Sequence, residues 1–563
     1  MNFNEHKKDI IALSSLTIIL LAIIVLLLNI DLKAGVYYVR DVFFYLNNAL
    51  FYAGHDTGLA DTRGLSPLVP MITSIFFRLG FISDSTIILV SSSFYLFAGL
   101  GMYFLLRLRF NEVLSFTGSM VFSTFPLIMV WITKGMIDIP GVCFSIWSVY
   151  FMILSFRKDI RFSYIAFPLV ILGFFTRFTG LLMVPVLLMM YLLVENPVEY
   201  IKENLKHILI AIACGGIVFA IFIGIYIHMD IGMFFLSQGQ DISGKAQDVT
   251  SLQHYFTYYL KNLPIYLGCE NFIPYSLKPG VFLFNEMHWI GGCPSINSYV
   301  LMAIMVAGFV LYFTKLFGAE NREILKSEDK KIKLAIFILG LIIFLATYVK
   351  ISVIYSEIIL SIALLALYRL LRKTKTDFFS LDFIMFYWCI VNFVFFTYYH
   401  IKVDRYFIPM LPFIAYSIIL SIELILEKIK SIKHIEKIKA IAPIGLVCFI
   451  LLCSGVYAMS NSPHTFDNQM HPNFMTAASE EKAVANWLIE HDPNYMNKTI
   501  WADRGGDMSF NLIKEIPSVD KISNNTNFTD KMIEENVSYF ISADNKTIGE
   551  PYTKLYQNGE VSL

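Results

Sequence analysis

Charge is what this 563-residue chain has least of: 16% of its residues are Asp, Glu, Lys or Arg, against roughly 25% in an ordinary soluble domain. With 56% hydrophobic residues, that scarcity excludes a soluble globular protein and a disordered one. Nor is there an excess of one sign. Forty-four basic residues balance 44 acidic ones, so net charge points to neither nucleic acid nor acidic partners. Cysteine is sparse, and the seven residues form neither a disulfide framework nor a metal-spaced set. No compact Asp-x-Asp or His/Cys cluster calls for a bound metal. What is abundant is aromatic: 50 Phe and 31 Tyr, the composition of helices packed in lipid with aromatic belts at the interfaces.

A helix needs about 20 mostly apolar residues to cross the hydrocarbon core. On that criterion thirteen spans are expected, near 10–30, 84–106, 112–132, 138–156, 162–176, 178–194, 207–229, 297–316, 332–348, 351–371, 380–399, 406–426 and 440–459. The first follows Lys7 and Lys8 and has no small-residue cleavage site after it, so it reads as a retained anchor. Basic residues test the count, because cytoplasmic loops are enriched in Lys and Arg. With the N-terminus cytoplasmic, 24 of the 44 fall in internal segments, 12 in external loops and 8 in the tail after 460. The external loops include the two longest and still carry fewer, which supports both the count and the orientation.

The extracytoplasmic side then receives the loop 31–83, the loop 230–296 and a tail of residues 460–563, leaving 1–459 as the transmembrane domain. Within the first loop, 42–52 and 67–81 read as amphipathic helices suited to the interface. The long loop holds Cys269 and Cys293, the only cysteines outside the expected spans. In an oxidising compartment they suit a disulfide; two unpaired loop thiols are the alternative. The tail turns polar. A helical stretch near 479–490 and strand-like alternation at 499–503 and 537–543 give a small α/β domain, and all five Asn-x-Ser/Thr sequons of the chain lie in it.

Ionisable residues at the ends of transmembrane helices are costly and mark functional sites. Here they collect at the external mouth. Arg40 and Asp41 open the first loop, Lys134 and Asp138 sit in one turn, Arg177 in another, and His400, Lys402, Asp404 and Arg405 in a third; Glu357 lies about two turns below. Each has a plainer reading: Asp138 as a helix cap before Pro140, Arg177 and Lys134 as snorkelling cations, Asp41 as a solvated loop carboxylate. Taken together they suit group transfer from a lipid phosphate, with Arg and Lys on the phosphate and a carboxylate as general base.

Five pieces in order between Arg40 and Pro412 resemble the GT-C membrane glycosyltransferases, specifically the glycosyltransferase 39 or protein-mannosyltransferase-like group that includes the aminoarabinose transferases. They are Arg40-Asp41 with Tyr45, Asn47 and Ala49; Leu65 to Pro70; Lys134 to Pro140; Thr176 to Leu182 with Pro185; and Lys402 to Pro409 with Pro412. Asp41 is followed by Val42, where the protein mannosyltransferases commonly carry a second acid. The resemblance implies an all-α polytopic fold of about 13 helices with the α/β tail. It implies inverting transfer of a hexose or pentose from a polyprenyl- or dolichyl-phosphate donor to a protein, lipid or surface-glycan acceptor. Asp41 would be the base, Asp138 would orient acceptor or cations, and Arg177, Arg405, Lys402 and Lys134 would hold the phosphate, with Arg40, His400 and Glu357 as further site residues. No cofactor is required, although nothing in the sequence forbids a divalent metal. The competing reading is a multi-span transporter or flippase, which typically shows internal repeats and broken helices with midplane polar residues; only Glu357 leans that way. Transfer of a whole oligosaccharide generally uses a first-loop Asp-x-Asp metal motif, which Arg40-Asp41-Val42 lacks.

Overall fold

The computed structural model describes residues 3–34, 37–39, 41–58, 63–233, 235–236, 257–269, 294–317, 328–348, 350–372, 378–399, 402–429, 442–443, 445–447, 449, 475–519, 525–543, 550–559 and 561–563. Long apolar runs form the helices, because only a helix satisfies every backbone group within a single segment in lipid. α1 (Phe3–Ala34) is followed by the short strand β1 (Tyr37–Val39), the first-loop helices α2 (Asp41–Ala53) and α3 (Leu68–Arg78), and then α4 (Asp84–Arg107). The bundle continues through α5 (Glu112–Ser123), α6 (Pro126–Met129), α7 (Asp138–Arg157), α8 (Ser163–Thr176), α9 (Met183–Leu193) and α10 (Pro197–His228). α11 (Tyr258–Leu267) belongs to the long loop; α12 (Ile296–Leu316), α13 (Glu328–Thr347), α14 (Val353–Leu371), α15 (Phe379–Tyr398) and α16 (Leu411–Lys428) complete the described bundle.

Eight helices among the described residues are long and apolar enough to cross a membrane. Segments 160–176 and 178–193 are shorter apolar helices, and α13 carries Glu328, Asp329, Lys330, Lys331 and Lys333 at its start. The expected span 112–132 is two pieces. α5 stops at Ser123 because Pro126 follows, and Phe125 takes the extended ψ of 134° that a residue before proline prefers. The backbone from 124 to 137, irregular apart from the short α6, is buried throughout, where non-helical chain at membrane depth is tolerated. The thirteenth expected span, 440–459, lies mostly outside the described residues.

Apolar residues face outward on the peripheral helices: Ile18 and Val25 on α1, Ile217 and Ile221 on α10, Val306 and Val310 on α12, Leu339 and Ile342 on α13. So large an exposed apolar band needs lipid to cover it, and the chain is a multi-pass membrane protein. α4, α7, α15 and α16 form the centre, with Trp131, Trp388, Tyr95 and Tyr416 fully buried. At the end of the bundle remote from α2, Arg109 pairs with Asp382, which also accepts hydrogen bonds from the Tyr416 hydroxyl at 2.5 Å and the Tyr312 hydroxyl at 3.1 Å.

The C-terminal residues form a small α/β unit: β2 (Met475–Ala477), α17 (Ala478–His491), β3 (Thr499–Ala502), α18 (Gly505–Leu512), α19 (Asn525–Glu534) and β4 (Val537–Ile541). β3 and β4 run parallel with Trp501 opposite Phe540. Successive strand residues point to opposite faces. Ile500 and Ala502 therefore pack with Val484 and Leu488 of α17, and Trp501 with Phe528 and Met532 of α19. β2 crosses to the first loop and pairs antiparallel with β1, Tyr38 opposite Thr476.

Candidate active site

Asp41 is the first residue of α2, where the positive end of the helix favours a carboxylate. Its Oδ2 accepts a hydrogen bond from Nη2 of Arg405 at 2.9 Å. Asp138 opens α7 in the same way, with Pro140 in the first turn where its missing N–H costs nothing. Asp138 is 2% exposed and ion-paired with Arg177. Arg177 ends α8 in extended backbone, φ −154° and ψ 122°, which breaks the helix and leaves its guanidinium 5.0 Å from the centre of the Tyr406 ring. Burial lowers the Arg177 pKa to about 10, so it stays a cation at neutral pH.

Both carboxylate–guanidinium pairs open on one cavity of about 730 Å³. Its walls are otherwise mostly apolar, from Phe174, Leu181, Pro185, Ile354, Phe395 and others. Tyr45, one turn after Asp41, reaches the same space; burial, reinforced by the Asp41 carboxylate, holds its phenol well above the ordinary value. Glu357 lines it too, and its Oε1 is buried with no hydrogen-bond partner among the described residues.

The structure thus brings Asp41, Asp138, Arg177, Arg405 and Glu357 together. It does not bring the two lysines to the cavity wall. Lys402 is buried, and its ammonium donates to the carbonyl oxygens of Phe396 at 2.6 Å and Thr397 at 2.8 Å, and to that of Tyr399. It thereby caps the end of α15, as a cation does at a helix C-terminus, while burial pushes its pKa down to about 7. Lys134 is buried in the turn before Asp138, away from the cavity lining. Arg40, His400 and Cys293 lie outside the described residues. Cys269 forms an isolated backbone bridge with Pro294.

Sequence reasoning passed over Asp404 as a positioning group. It accepts hydrogen bonds from the hydroxyls of Tyr258, at 2.9 Å, and Tyr266, so α11 of the long loop fixes the turn that aims Arg405. It also missed the cage around the guanidiniums, Tyr406, Phe396 and Trp131, the last 6.0 Å from Arg405. Only the adjacency of Arg405 and Tyr406 signalled it.

Residues 65–224 match the family model described as dolichyl-phosphate-mannose-protein mannosyltransferase. No curated protein sequence matches. Among solved structures, ArnT from Cupriavidus metallidurans bound to undecaprenyl phosphate aligns with a TM-score of 0.52 at 10% identity, covering 97% of each chain. The apo form of that protein gives 0.46 at 12% identity over 94% of this chain and 93% of the other. The oligosaccharyltransferase of Archaeoglobus fulgidus, tethered to an acceptor peptide, gives 0.46 at 11% identity over 93% of this chain and 69% of the other. At such identity the first of these speaks for the fold: an all-helical membrane bundle with an α/β appendage, the GT-C architecture of ArnT.

Proposed function

We propose that the chain is a glycosyltransferase that moves a sugar from a polyprenyl-phosphate donor to an acceptor at the extracytoplasmic face. The observation that carries this is the cavity that joins two carboxylate–guanidinium pairs to an apolar wall. The apolar side chains suit an isoprenoid, and the guanidiniums suit its phosphate, which each can grip with two parallel N–H donors. Two further findings support it: the first-half match to a dolichyl-phosphate-mannose family, and a fold shared with a protein whose structure holds undecaprenyl phosphate.

In the reaction an acceptor hydroxyl or amine attacks the anomeric carbon from the face opposite the phosphate. Its proton passes to the Asp41 carboxylate, the bond from C1 to the phosphate oxygen breaks, and the electron pair leaves with the lipid phosphate. That centre is inverted. Arg405, one of whose amino groups is engaged by Asp41, has further N–H donors and takes part of the developing phosphate charge. Arg177 takes the rest while Asp138 holds it in place. N-terminus inside and α/β unit outside is the matching orientation, since the basic residues collect at the opposite end.

Purified protein is incubated with undecaprenyl-phosphate derivatives of several hexoses and pentoses, and release of undecaprenyl phosphate is followed. Turnover is expected with at least one, and Asp41→Asn is expected to lower it by about 10²- to 10⁴-fold. No turnover and no binding with any donor sinks the proposal. Full activity of Asp41→Asn moves the base to Asp138 or Glu357.

A further inference from the structure

The two halves of the site stand on different supports. Arg405 stands just before α16, where Asp404 beside it is tied to Tyr258 and Tyr266 of α11 in the long loop. Asp41 stands on α2, a 13-residue helix in the first loop; a helix of that length is marginal in isolation and takes its fixity from what it packs against.

The C-terminal unit holds the chain on both sides of Asp41. Upstream, β1 ends at Val39, and its three residues pair with Met475 to Ala477. Downstream, Asn47 is buried at 1% exposure in mid-helix, where asparagine is a poor helix former. Its side-chain amide donates to the Phe43 carbonyl at 2.8 Å and, across to α18, to the Gly506 carbonyl at 2.7 Å. Phe510 of α18 enters the bundle's apolar core, with its ring 6.2 Å from that of Phe43 on α2 and 6.2 Å from that of Phe77 on α3. Gly505 lets the start of α18 sit tightly on the 516–518 segment of its own unit, because a Cβ there would collide with the Ile516 carbonyl and the Ser518 amide.

We propose that the C-terminal unit is a positioning device for the general base, and that Asn47 and Phe510 are the positioning residues through which it sets Asp41 against Arg405. This rests on the reading of Asp41 as the base. A tail that merely covered the external face would have no need of a buried amide inside α2, nor of a strand ending two residues before Asp41. Because Arg177 and most of the cavity wall belong to the bundle, while α2 contributes Asp41, Phe44 and Tyr45, loosening the grip displaces the base more than the donor site. A misplacement of about 1 Å costs on the order of 10²-fold in rate.

The test uses the full chain in lipid nanodiscs with the undecaprenyl-phosphate sugar that the wild type turns over best. Asn47→Ala is expected to lower kcat about 10- to 100-fold with the donor KM within twofold of wild type. Phe510→Leu, which keeps an apolar side chain and hence the fold, is expected to show the same split at several-fold size. A cross-strand staple, Tyr38→Cys with Thr476→Cys, added to Asn47→Ala should recover kcat when oxidised and lose it on reduction. Wild-type kcat in folded Asn47→Ala, a rise in KM with kcat held, or no recovery with the staple formed overturns the inference. If Asn47→Ala does not fold, Phe510→Leu decides: an unchanged kcat overturns the inference. Asp41→Asn run in parallel separates the two failures. If it stays active, the assignment of the base is wrong; if it is inactive while Asn47→Ala and Phe510→Leu are fully active, only the positioning role falls.

Discussion

Arg177 and Asp138 are buried together, and neither has much access to water. Removing one partner of such a pair leaves an uncompensated charge and costs about 3–5 kcal/mol. Arg177→Ala should therefore lower thermal stability in detergent as well as abolish undecaprenyl phosphate binding. The double variant Arg177→Gln with Asp138→Asn should regain much of the stability and none of the binding. If both properties return together, Arg177 has no phosphate role. Lys402 gives the opposite pattern. Because it caps α15 with no place on the cavity wall, Lys402→Met is expected to reduce the unfolding temperature and to leave undecaprenyl phosphate affinity within about twofold, since the cap contributes only through the helix end; a loss of binding at unchanged stability would return Lys402 to the phosphate site. The carboxylates and arginines were legible in the sequence because charge at a helix end is costly enough to demand a reason. The two lysines carried the same signal. A cation that solvates helix carbonyls and one that awaits a phosphate look alike until the backbone around them is known.

At the scale of elements, hydropathy located the two helices of the first loop, most of the bundle and the two tail strands, since apolar run length and alternation are local properties. It failed where a local break overrides composition. The run 112–132 is as apolar as its neighbours, yet Pro126 splits it, and the buried turn that results delivers Asp138 to the cavity. Close helix contacts were equally illegible. Gly308 of α12 lies directly against Ser421 of α16, with no room for a Cβ, and the Ser421 hydroxyl turns back to the Ser417 carbonyl at 2.7 Å. Small residues allow such approach, and packing rather than hydrophobicity holds helices together in lipid. Gly308→Val must push the helices apart; overpacking of this kind typically costs about 1–3 kcal/mol. Loss of monodisperse protein on size exclusion, or a matching fall in unfolding temperature, is the expected result, and wild-type behaviour would show that α12 is not fixed against α16.

Across the whole molecule the pairing of β1 with β2 imposes a rule that no single helix does. Two strands joined by hydrogen bonds lie on one side of the membrane, so the chain crosses an even number of times between Ala34 and Met475. The thirteen-span reading meets that parity, with twelve crossings after α1. The proposed side rests on charge: Glu195, just past α9, lies among the basic segments that the charge count assigns to the cytoplasm, whereas Asp56 follows α2 and Glu490 is near the end of α17. All three are exposed, so single cysteines there report sidedness directly. In intact cells a membrane-impermeant maleimide is expected to label Asp56→Cys and Glu490→Cys alike, and Glu195→Cys only after permeabilisation. Labelling of Asp56→Cys and Glu490→Cys from opposite sides would break the strand pairing, and with it the grip of the C-terminal unit on α2. Labelling of Glu195→Cys alone in intact cells would keep the pairing and invert the protein, placing the site where nucleotide sugars are available and removing the reason for a lipid-carried donor.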